Sequence, residues 1–168
     1  MNNKPISIPK ANGVDKVLEI FALSMILAMI IVPLILYSRL PERIPSHYNV
    51  SGEIDSYSNK ISVFILPIIC LLVVYLPITI LQRFPHTFNF PVKVTERNAD
   101  SLYVIGIRII RYIKLLVIVI FVLLLTETLL CAFNIQHGRF VFYILYGIDI
   151  VFFPLIIIVG IKKMRHIG

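Results

Sequence analysis

Apolar residues along this chain gather into four long blocks, Val17 to Tyr37, Ile61 to Leu81, Ile113 to Phe133 and Phe140 to Ile161, with polar segments between them. Each block is about 21 residues long, or roughly 31 Å at 1.5 Å per residue, against roughly 30 Å of bilayer hydrocarbon. The pattern therefore predicts an all-α integral membrane protein, a single domain over 1–168 with four transmembrane helices at 17–37, 61–81, 113–133 and 140–161. Pro33, Pro67, Pro77 and Pro154 fall inside the blocks. There, neighbouring helices can re-satisfy the freed carbonyls, so kinks are expected rather than breaks. The first block is longer than a signal-peptide core and no small-x-small cleavage site follows at 38–43, so it is read as a retained helix.

Two polar stretches have their own organisation. Residues 38–60 are dense in turn chemistry: Pro41 and Pro45 fix φ, Gly52 permits a positive φ, and Asn49, Ser51, Asp55 and Asn59 can bond nearby backbone. This predicts a loop ordered without regular structure. In the segment 82–112, Thr95 is an acceptable N-cap, Glu96 and Asp100 favour a first turn, and Leu102, Ile105, Ile109 and Tyr112 recur at helical spacing beside Arg108 and Arg111. The reading is a basic amphipathic juxtamembrane helix with Arg97, Arg108, Arg111 and Lys114 at the membrane surface; an uninterrupted extension of the third span fits the same residues.

Charge turns the blocks into a topology. Of the 16 Lys and Arg residues, twelve lie in the N-terminal tail, the 82–114 segment and the C-terminal tail, and four (Arg39, Arg43, Lys60 and Arg139) lie between the other ends of the blocks. The positive-inside rule then puts both termini and the 82–112 segment in the cytoplasm and the 38–60 loop outside. Composition agrees with a lipid environment, at 58% hydrophobic and 15% charged residues, where soluble domains hold about 25% charged. The net charge of +7 comes without a nucleic-acid recognition motif and sits at block ends, so topology accounts for it and no nucleic-acid partner is expected. Cys70 and Cys131 each lie inside an apolar block and read as small core hydrophobes.

The string Leu40, Pro41, Ile44, Pro45, His47, Tyr48, Asn49, Gly52, Asp55, Tyr57 and Lys60 resembles the signature of a bacterial membrane domain of unknown function that forms the N-terminal part of SdpI-like immunity proteins. Asn89, Pro91, Thr95, Asn98 and Ala99, followed by Arg108, Arg111 and Lys114, are similar to that family's cytoplasmic stretch. Ile54, Tyr57 and Ser58 stand where the family often has proline, tryptophan and glycine. The resemblance implies a bacterial inner-membrane protein linked to toxin immunity or signalling, with a peptide toxin or a cytoplasmic regulator as partner besides the lipid bilayer.

Candidate chemistry is sparse. His47 with Glu42, Glu53 and Asp55 has the donor types of a divalent-cation site but none of the usual spacings, and a histidine organising a tight loop is the commoner case. Glu127 and Asp149 lie within the third and fourth blocks, about 9 Å and 13 Å from their outer ends. Acids at that depth are costly and usually face the bundle interior. With no Lys or Arg at the same depth, hydrogen bonds to Thr126, Thr128, Tyr143 or Tyr146, or carboxyls kept neutral, are expected, and antiparallel spans could bring the two acids together. The chain has no nucleophile, base and acid set, no phosphate loop and no cofactor motif. The expected function is non-enzymatic binding of a toxin, peptide or lipid through His47, Asn49, Gly52, Glu53, Asp55, Lys60, Glu127 and Asp149. A small transporter or proton-coupled permease using Glu127 and Asp149 is the alternative.

Overall fold

A computed structural model describes residues 4–49, 51–135 and 140–167; within 140–149 only Ile144 and Gly147 are described beyond the backbone. The fold is mostly helical: α1 (Gly13–Leu36), α2 (Lys60–Leu81), α3 (Ala99–Ala132) and α4 (Phe140–Arg165). Three of these are long and apolar enough to cross a membrane, α1 with the turn that extends it to Arg39, α2 and α3. The fourth predicted span coincides with α4, a 26-residue helix containing Pro154 and ending on Lys162, Lys163 and Arg165.

Local sequence explains where the helices start. Asn12 caps α1 through a reciprocal capping box with Asp15, each side chain accepting the other's backbone N–H at 3.0 Å. The Asn59 side chain accepts from Ile61 N–H at the start of α2. That helix is not uniformly α. It opens as a tight turn over Lys60–Phe64 and widens to π-helical geometry over Cys70–Tyr75, between Pro67 and Pro77. Each proline removes a donor and crowds the carbonyl four residues back, so a widened turn is the local accommodation.

The expected Thr95 cap is corrected: Thr95 begins a turn in which its carbonyl accepts from Asn98 and Ala99 N–H, and the helix starts at Ala99. From there α3 runs unbroken for 34 residues, about 51 Å. The basic segment is thus the first part of the third span's own helix, not a separate surface helix.

The 38–60 loop also departs from the expectation. It contains an antiparallel hairpin, β1 (Arg43–Tyr48) and β2 (Ile54–Asn59), so the domain is not purely α. Ile44, Tyr48, Ile54 and Tyr57 supply β-forming side chains, and Pro45 is tolerated because a two-stranded sheet is all edge. Irregular pairing around His47 breaks strict alternation. Ile44 and Pro45 are consequently buried while Ser46 and His47 are exposed.

α3 is the central element, packing on α1, α2 and α4 and carrying β1 near its C-terminal end. One buried cluster joins Ala22, Ile26 and Met29 of α1, Leu40 and Ile44, Val63 and Cys70 of α2, and Ile118, Leu125 and Leu129 of α3. A second, at the opposite end, joins Ala99, Leu102 and Tyr103 to Met164 of α4. Large apolar side chains such as Phe21, Leu27, Ile65, Leu72, Phe152 and Ile158 remain exposed around the helices, as lipid-facing positions would be.

Candidate functional site

Most polar residues of the 40–60 motif pair with one another across the hairpin. His47 Nδ1 lies 2.6 Å from Asp55 Oδ1. Lys60 donates to Glu42 at 2.8 Å and its ammonium lies 5.3 Å from the centre of the Tyr37 ring. At the turn, Asn49 accepts Glu53 N–H at 2.9 Å through its side chain and donates to the Glu53 carboxylate at 3.1 Å, while Gly52 takes φ 78° and donates its N–H to the Asn49 carbonyl. The motif therefore encodes a closed hairpin first. Among the described residues no three His, Cys, Asp or Glu side chains gather as a metal site would require.

Beneath the hairpin lies a groove of about 530 Å³ between β1, the start of α2 and the C-terminal third of α3. Ile44, Val63, Leu66 and Leu125 form its apolar wall, and Ser46, His47, Ser58, Ser62 and Thr128 its polar rim. Tyr48 points inward from β1, its hydroxyl against Thr128 and Cys131 with Glu127 close by, and burial pushes its pKa up. Glu127 is buried; its Oε1 accepts from the Cys131 thiol at 3.4 Å, and its Oε2 has no hydrogen-bond partner among the described residues. The structure thus joins the predicted loop to one predicted membrane acid through Tyr48. The expected Thr126 and Thr128 bonds to Glu127 are not made: both hydroxyls donate back to carbonyls four residues earlier, at 2.8 and 3.0 Å. The side chains of Asp149, Tyr143 and Tyr146 lie outside the described residues.

At the other end of the bundle the basic residues meet partners that the sequence reading passed over. Arg108 and Arg111 of α3 reach Asp15 of α1 at 3.2 and 3.1 Å; Arg111 also reaches Glu19 at 3.0 Å. Lys114 donates to Glu19 at 2.6 Å and to Thr79 of α2 at 3.0 Å, with its ammonium 4.8 Å from the centre of the Tyr75 ring. Its side chain is only 1% exposed. Arg108, Arg111 and Lys114 thus tie three helices together, Lys114 fully buried and Arg108 keeping part of its side chain exposed, whereas Arg97, in the turn before α3, is exposed. The sequence shows two acids four apart on α1 and bases three apart on α3, each set on one face of its own helix, but nothing local says that the two faces meet.

Residues 24–71, from the middle of α1 through the hairpin into α2, match a family model described as a domain of unknown function, DUF1648. An uncharacterized protein of Archaeoglobus fulgidus is 35% identical over 66 residues, 35% of this chain and 36% of its own. This chain spans about a third of the length of that curated relative. No solved structure matches it.

Proposed function

We propose that this chain is a non-enzymatic protein of the bacterial inner membrane that binds a membrane-active amphiphilic peptide in the groove beneath its hairpin, in the manner of the SdpI-like immunity proteins its motif resembles. In this reading α4 is the fourth span, the hairpin is outside and both termini are cytoplasmic, which the distribution of Lys and Arg supports. The groove carries the argument. An apolar wall of Ile44, Val63, Leu66 and Leu125 under a rim of Ser46, His47, Ser58 and Ser62 matches a molecule with one apolar and one polar face. The match to the DUF1648 model covers the hairpin and both strands of the groove's roof. Asn49, Gly52, Glu53, Asp55 and Lys60 serve by holding the hairpin in shape, while His47 and Tyr48 contact the ligand.

The test uses an environment-sensitive dye at Ser62→Cys, in protein with Cys70 and Cys131 replaced by Ala, reconstituted in nanodiscs and titrated with amphipathic membrane-active peptides of defined sequence. A saturable response that Leu125→Trp abolishes is expected. A response that does not saturate, or that Leu125→Trp leaves unchanged, overturns the reading.

Glu127 favours a second reading, a small carrier, because a buried carboxylate oxygen beside the groove could meet a proton or cation. Proton or cation flux in proteoliposomes, lost in Glu127→Gln, would select it over binding alone.

A further inference from the structure

A second groove, of about 250 Å³, lies at the charged end of the bundle between α3 and α4. Its walls are Ile109, Leu155 and Val159, and Arg108, Tyr112 and Lys163 stand along it. Leu155 and Val159 are 49% and 44% exposed, so the groove opens sideways from the helix pair. The helices approach closely here because Gly160 has no side chain to hold Ile109 away.

The geometry points to a binding site for one anionic phospholipid, its acyl chain on Ile109, Leu155 and Val159 and its phosphate between Arg108 and Lys163. Leu155, Val159 and Lys163 follow at four-residue intervals, so one face of α4 presents apolar, apolar, cationic over about 12 Å. That is the order of a lipid's tail and head. Tyr112 and Lys163 flank the ends of the apolar blocks, the level at which tyrosine and the long lysine side chain meet headgroups.

Charge selects the headgroup. Asp15 and Glu19 of α1 face Arg108, Arg111 and Lys114 nearby, and Lys163 makes no ion pair among the described residues, so among these six side chains two acids stand against four bases. Arg108 commits Nε and Nη2 to Asp15 and keeps 29% of its side chain exposed. A guanidinium has further N–H donors to offer a phosphate. Asp15 orients Arg108 without neutralising the surplus. This site is separate from the groove under the hairpin and stands whether or not a peptide binds there; only the assignment to the cytoplasmic leaflet rests on the proposed orientation.

The experiment measures motionally restricted spin-labelled phosphatidylglycerol and phosphatidylcholine on the full chain in symmetric vesicles, where insertion direction does not matter. Wild-type protein should prefer phosphatidylglycerol. Lys163→Gln should lower that preference about fivefold, equivalent to about 1 kcal/mol for one basic residue at an anionic surface. Lys162→Gln, one position off the groove, should lower it much less. Val159→Trp, which keeps every charge but fills the groove, should remove the restricted phosphatidylglycerol. Equal losses for Lys162→Gln and Lys163→Gln would show general surface charge only. Either that result, or an unchanged preference in Lys163→Gln or Val159→Trp, overturns the site.

Discussion

The ammonium of Lys114 on α3 lies 2.6 Å from the Glu19 carboxylate on α1, with the lysine side chain 1% and the glutamate 27% exposed. A cation this enclosed depends on its partner. Removing Glu19 leaves a desolvated charge with Thr79 and the Tyr75 ring for company. Glu19→Ala should therefore destabilise the protein by about 3 kcal/mol, the lower end for a broken buried pair because Glu19 keeps some solvent access. The apolar replacement Glu19→Leu with Lys114→Met should recover much of that loss. Thermal melting in detergent measures both; a double variant no more stable than Glu19→Ala would show that the pair is not coupled.

At the hairpin, two residues of one motif should behave differently. Gly52 sits at φ 78°, where a β-branched side chain is strained. Gly52→Val should cost about 1 to 3 kcal/mol, local to the turn. His47 and Asp55 are close but exposed, at 69% and 43% of their side chains, so His47→Ala should change stability by less than about 1 kcal/mol. Any larger loss of peptide binding in His47→Ala then reports contact at the groove rim. Hydrogen exchange at the turn and peptide titration separate the two effects, and a melting loss for His47→Ala equal to that of Gly52→Val would contradict this division.

How much of this the sequence showed depends on range. The apolar blocks located α1, α2, α3 and α4 because hydrophobic run length is a local property. The hairpin was missed although its parts were visible: Asn49 to Glu53 is a turn sequence between stretches containing Ile44 and Tyr48, and Ile54 and Tyr57, but prolines at 41 and 45 read as irregular. The roles of Asp15 and Glu19 were missed for a different reason. An ion pair between residues about 90 positions apart has no local trace, so the pairing of Arg108, Arg111 and Lys114 with α1 could not be read from either helix alone. Glu127 was singled out for its depth, but its neighbours Cys131 and Tyr48 were not, because only the hairpin's inward fold delivers Tyr48.

Close packing of α3 on α4 turns on Gly160. A Cβ there would lie 2.2 Å from Ile109 Cδ1 and 2.7 Å from its Cγ1. Without a hydrophobic driving force between helices in lipid, such close contact is the main source of association. Gly160→Ala should cost about 1 to 3 kcal/mol as an overpacked contact. Combined with Ile109→Ala it should cost less than the sum of the two single changes, by more than about 0.5 kcal/mol. Additive losses would place the crossing elsewhere.

The hairpin with its groove is claimed to lie on the outer side of the bilayer and the charged end with its ion pairs on the inner side, and impermeant thiol labelling in intact cells tests that most directly. Ser51→Cys and Thr95→Cys are compared in protein with Cys70 and Cys131 replaced by Ala. Position 51 should label in intact cells, and position 95 only after the membrane is opened. Labelling of position 95 with protection of position 51, or of both in intact cells, would contradict the account.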